Sequence, residues 1–141
     1  MPVMKTLLTG YRVSDLARSE SFYRAVGFRE IGRAPIGDGT TLVMLNLPGD
    51  GDAATIELVD DRSVGPVEIG NGFSHIAVQV ADLAAALADL ARAGIASDGI
   101  ELPGGQEGPA VANLRDPDGY RIELVQWPPG HPDGITSADF R

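Results

Sequence analysis

Two glutamates and a histidine are the residues whose types and spacing best suit chemistry. Glu57 lies inside the apolar tetrapeptide Ile56-Glu57-Leu58-Val59, and Glu123 lies inside an identical one, Ile122-Glu123-Leu124-Val125. The displacement from 57 to 123 is 66 residues. Val13-Ser14-Asp15-Leu16 recurs as Val80-Ala81-Asp82-Leu83, and Gly27-Phe28 as Gly94-Ile95, each displaced by 67. A carboxylate in an apolar strand costs free energy unless it is paired, protonated or bound to a metal. His75 stands five residues before Val80, and its counterpart, five before Val13, is Leu8. Modules facing each other about a pseudo-twofold axis would bring positions 8, 57, 75 and 123 together. Glu, His and Glu at three of them suit Ni, Co, Zn, Mn or Fe. A plainer reading pairs each Glu with an arginine such as Arg12 or Arg121 and leaves His75 as a satisfied core histidine. The duplication, taken with His75, favours the metal.

The elements that must position these residues also repeat. Residues 6–13 read as a strand, and Ser14 or Asp15 supplies a helix cap. Leu16, Phe22, Tyr23 and Val26 form the apolar stripe of the helix that follows, which Gly27 ends. Residues 28–32, 40–47 and 55–60 read as strands with turn-rich connections. After a polar stretch over 61–71 the pattern restarts, with a strand over 73–80 and a helix capped by Asp82 that ends at Gly94. Strands are expected over 95–102, 109–115 and 120–127, the last two joined by the turn Asp116-Pro117-Asp118-Gly119. The expectation is an α+β fold of paired βαβββ modules in one domain, residues 1–141. Residues 1–66 form one module, 67–126 the other, and 127–141 a Pro/Gly-rich arm.

The 20 acidic residues against 11 Lys and Arg, a net charge of −9, argue against binding to nucleic acid or to anionic membranes. Without cysteine there is no disulfide, zinc–thiolate or thiol nucleophile. No basic, apolar leader and no run of membrane-spanning length occurs, so a cytoplasmic protein is expected. Half of the chain is too short to cover its own sheet, which points to a homodimer.

Three segments carry a resemblance to a known family. They are Arg12-Val13-Ser14-Asp15-Leu16 through Ser21-Phe22-Tyr23 to Val26-Gly27-Phe28, then Gly72-Phe73-Ser74-His75-Ile76-Ala77, then Asp116 to Leu124. Over residues 6 to 126 the chain resembles the vicinal oxygen chelate superfamily of glyoxalases, bleomycin resistance proteins and extradiol dioxygenases. In motif wording it is most similar to glyoxalase I, the lactoylglutathione lyase. The resemblance implies a divalent metal held by Glu57, His75 and Glu123, with Leu8 at a fourth position where glyoxalase I has His or Gln. It implies proton transfer next to a carbonyl through a metal-stabilised enediolate, with Glu123 or Glu57 as base, so a lyase or isomerase. It also places Arg12 at a substrate carboxylate, a task that suits a guanidinium fork.

The chain departs from the glyoxalase I pattern at Asp61, where that family has Asn, and at Asn71, where many members have Arg. Both stand, with Arg12 and Leu8, among the expected substrate-binding positions. Asp61 and the net charge would repel a carboxylate-rich substrate, which argues against glutathione itself. The alternative is a metal-free protein that binds a small molecule or drug, as bleomycin resistance proteins do. Leu8 favours that alternative by weakening the metal site.

Overall fold

The computed structural model describes residues 2–141, which divide into two units. The first runs to Gly70 and takes in Asp116–Asp118; the second comprises Asn71–Arg115 and Gly119–Arg141.

The first unit holds β1 (Thr9–Arg12), α1 (Leu16–Val26), β2 (Arg29–Ile36), β3 (Thr40–Asn46) and β4 (Ile56–Asp61). The sheet order is β1-β4-β3-β2, with β1 parallel to β4 and the other pairs antiparallel. Asp15 is the helix cap, its carboxylate accepting from the Arg18 amide, an arrangement that stabilises a helix by about 1 kcal/mol. Ser14, the other candidate, instead donates its amide to Asp118 and accepts at its hydroxyl from the Val67 amide. Gly27 closes the helix at φ +121°, a conformation that a side chain disfavours. One face of the sheet buries Tyr11, Val43, Leu45, Ile56 and Leu58. Helix α1 lays Phe22 and Tyr23 on that side, where Tyr23 meets Tyr11 and Phe28 edge to face.

The second unit holds β5 (Ile76–Gln79), α2 (Leu83–Arg92), β6 (Ala110–Arg115) and β7 (Arg121–Gln126) in sheet order β5-β7-β6. Here too the first strand runs parallel to the last, and Asp82 caps the helix by accepting from the Ala85 amide. Val78, Ala112, Leu114, Ile122 and Leu124 form the covered face, with Leu83 and Leu90 buried on the helix.

The strand expected over 95–102 is reduced to a single bridge between Glu101 and Val111. Two features explain the loss. Asp98 takes the Asn113 amide on its own carboxylate, 2.7 Å away, where a strand would offer a carbonyl. Gly99 then turns the chain at φ +96° before Glu101 rejoins β6. Strands β1 and β5 also start later than expected, at Thr9 and Ile76, which leaves Leu8 and His75 each immediately ahead of its strand. Beyond Gln126 the chain is irregular, apart from a short 3-10 turn at Ser137–Phe140. No helix among the described residues is long and apolar enough to cross a membrane.

Candidate active site

Strand register places the two glutamates in the same relation to their neighbours. Glu57 pairs with Gly10 on the parallel side and Met44 on the antiparallel side; Glu123 pairs likewise with Ala77 and Asn113. Alternation along each strand then puts both carboxylates on the face away from the helix-covered core. Leu8 and His75 stand two residues before Gly10 and Ala77, so they occupy matching places at the strand entrances. The repeat read from the sequence is thus a repeat of register within each unit.

In the first unit the Glu57 side chain folds over β1. Its Oε1 lies 3.2 Å from where a Cβ on Gly10 would sit, so the small residue leaves the space that the carboxylate uses. Met44, Leu42 and Val59 surround it on the same face by register.

The second unit brings two of the expected ligands together. His75 Nε2 lies 3.8 Å from Glu123 Oε1, and both side chains remain partly open, at 32% and 23% exposure. Ser74 Oγ is 2.7 Å from His75 Nδ1. Arg121 Nη2 stands 3.4 Å from the same nitrogen and 3.9 Å from Glu123 Oε2. Two donors bound at about 2.0–2.2 Å can lie up to about 4.2 Å apart around one ion. An imidazole nitrogen and a carboxylate oxygen at 3.8 Å are a few tenths of an ångström wider than neighbouring donors on a tetrahedral ion, about 3.4 Å apart, so a small side-chain movement would bring both to one metal. Among the described residues no group of three His, Cys, Asp or Glu side chains that could hold a metal ion is assembled.

Arg12 and Asp61 line a crevice of about 290 Å3 in the first unit, with Asp60, Arg62 and Gly65. Arg12 Nη2 donates to the Gly65 carbonyl at 2.7 Å. The Ser63 hydroxyl and amide both donate to Asp61, which holds its carboxyl below the usual range, and the Arg12 guanidinium adds to the effect. Asn71 is exposed at the start of the second unit. A wider crevice of about 510 Å3 runs past Asp15, Glu20, Arg33 and Arg62, but Arg33 is already engaged by Glu20 and Glu30.

Sequence reasoning missed two residues here, Gly10 and Ser74, and named a third, Arg121, only as a partner for a glutamate. Gly10 could have been found, since the repeat pairs it with Ala77, a small residue in both modules. Ser74 and Arg121 flank the marked residues in the chain, and only the register shows that they meet around one ring.

Paired α+β units, each with a glutamate on the open face beside the entrance of its first strand, define the class of the protein. Residues 6–124 match the family described as the Glyoxalase/Bleomycin resistance protein/Dioxygenase superfamily, and the chain belongs to it. A probable lactoylglutathione lyase of Vibrio cholerae is 35% identical over 135 residues, covering 90% of this chain and 94% of that protein. The trypanothione-dependent glyoxalase I of Leishmania major is 28% identical with a TM-score of 0.71, covering 87% of each chain. An antibiotic-binding protein from a Streptomyces species is 26% identical with a TM-score of 0.66, covering 91% of this chain and 99% of that one.

Proposed function

We propose that this protein is a glyoxalase-like lyase or isomerase that moves a proton between adjacent carbons of a substrate bearing neighbouring oxygen atoms. The observation that carries the reading is the His75–Glu123 pair, 3.8 Å apart on the open face of the second unit, where Glu123 has the strand register that Glu57 has in the first. Together with Glu57, His75 and Glu123 would hold a divalent metal. Bound there, the ion supplies Lewis acidity to the substrate oxygens. Glu123 is the base: one carboxylate oxygen faces His75 and the other faces Arg121, so the group is oriented on both sides. It takes the proton from the carbon next to the carbonyl and returns it to the neighbouring carbon. Leu8 supplies wall, not a ligand.

Arg12 and Asp61 orient the rest of the substrate. A negatively charged Asp61 beside Arg12 favours a substrate with a donor or cationic group over one that ends in a carboxylate. This supports a substrate other than a glutathione adduct, in contrast to the names of the lactoylglutathione lyase relatives. The likeness to an antibiotic-binding protein, together with Leu8, supports a second reading as a metal-free drug binder.

One experiment separates the readings. Protein purified without a metal-affinity tag is analysed for bound metal and supplied with small α-hydroxycarbonyl compounds in deuterated water. Metal near one equivalent and deuterium exchange at the carbon beside the carbonyl are expected, with exchange falling at least about a hundredfold in Glu123→Gln. Absence of metal and exchange in the unmodified protein transfers the assignment to the binding module.

A further inference from the structure

Two neighbours contest one ring nitrogen of His75. Ser74 Oγ lies 2.7 Å from Nδ1, and Arg121 Nη2 lies 3.4 Å from it. Their demands differ. A guanidinium only donates, so Arg121 requires Nδ1 to accept, which places the neutral ring's proton on Nε2. A hydroxyl either donates or accepts, so Ser74 is compatible with both tautomers. Nε2 is the nitrogen that faces Glu123 Oε1. It offers a lone pair to a cation only when the proton sits on Nδ1, and there Ser74 Oγ is the acceptor that would hold it. Arg121 also stands 3.9 Å from Glu123 Oε2, so its fixed charge acts on both donors of the pair. Its Nε is buried without a partner, so that atom does not anchor the guanidinium.

We propose that Arg121 is a resident counter-cation that opposes metal entry at His75 and Glu123, while Ser74 is a positioning residue that favours it. The inference rests on the metal-site reading above. It makes the site one of moderate, exchangeable affinity, set by a balance between two side chains that themselves bind no metal. The contrast is of opposite sign at the two positions, which a merely structural role would not produce.

Calorimetric titration of nickel(II) chloride into the full chain tests it, with wild type, Arg121→Met and Ser74→Ala side by side. Arg121→Met should lower Kd by at least about tenfold, since it removes a unit charge a few ångströms from the donors. Ser74→Ala should raise Kd by roughly tenfold, the usual cost of losing a partner behind a ligating histidine. Arg121→Met binding no more tightly than wild type overturns the proposal while the metal site stands; no binding by any of the three overturns both. Nitrogen-15 NMR of the metal-free, unmutated protein gives a second arm that needs no variant to fold. The Nε2–H tautomer of His75 should predominate there, and a predominant Nδ1–H tautomer refutes the role given to Arg121.

Discussion

Glu57 owes its place to what Gly10 lacks. The glycine needs no unusual backbone angle; it is small because a carboxylate oxygen lies where a side chain would begin. Valine there would favour the strand but crowd the carboxylate. Gly10→Val should therefore leave the thermal midpoint within about 5 °C of wild type, a shift of roughly 1 kcal/mol or less, while metal affinity falls as far as in Glu57→Gln. Equal affinity for Gly10→Val and wild type would show that the Glu57 position does not matter. Leu8 gives the converse test. Leu8→His adds a donor at the place matching His75 and should tighten nickel binding in calorimetry; weaker binding would remove position 8 from the site. The matching register of the two glutamates was legible because an identical tetrapeptide is a loud signal. Gly10 and Ser74 were quieter, and Arg121 was read only as a partner for a glutamate, not as a neighbour of His75.

At the level of elements, helix α1 and the turn after β6 are joined by one buried bond. Tyr23 Oη donates to Asp116 at 2.7 Å with the ring fully buried, and burial pushes the phenol pKa upward, reinforced by the neighbouring Tyr11 and Asp116. Tyr23→Phe should cost about 1–3 kcal/mol in urea denaturation, because Asp116 keeps its burial and loses a donor. A cost near zero would mean that the acceptor finds another partner.

The arm after Gln126 makes a different prediction. Gln79 accepts from Trp127 Nε1 and the Gly134 amide, and donates to Asp133. Trp127 stacks on His131 at 4.1 Å, and the two ring nitrogens of His131 face the Asp139 carboxylate and the Pro132 carbonyl. Both partners only accept, so the arrangement is complete only with an imidazolium. Asp139 first, then Pro132, raises the His131 pKa, and Asp139 is correspondingly lowered by the Thr136 amide and by His131. A raised folded pKa means stabilisation that is full below the ordinary value, about 6.5, and is lost as pH climbs through the folded one. Emission from Trp127, the single tryptophan, should therefore change as pH rises above the ordinary imidazole value, and the change should vanish in His131→Gln. An unchanged titration in the variant would dismiss the pairing. Both helices and their caps were legible from periodicity and Asp residues, whereas the 95–102 strand was miscast because Ile95, Ile100 and Leu102 suggested a strand that Asp98 and Gly99 interrupt.

At the scale of the molecule, both sheets have their first strand at an edge, and Val3, Met4 and Leu7 ahead of β1 are more than four-fifths exposed. Open edges and bare apolar side chains are surfaces that natural proteins cover. We expect a homodimer, and light scattering at micromolar concentration should return about twice the chain mass of 14.8 kDa. A monomer mass would overturn that expectation. The sequence reading placed a boundary near the polar stretch after β4, with residues 67–126 as the second module and 127–141 as an arm. In the structure Asp116–Asp118 belongs to the first unit, so the backbone passes from one to the other after Gly70, Arg115 and Asp118. That has a consequence for how the protein is made. On the ribosome, the leading half emerges without the acceptors for Tyr23 and Ser14, and must wait for some fifty further residues before its last hydrogen bonds can close. A release of the first 70 residues by protease would leave the same two donors without these acceptors.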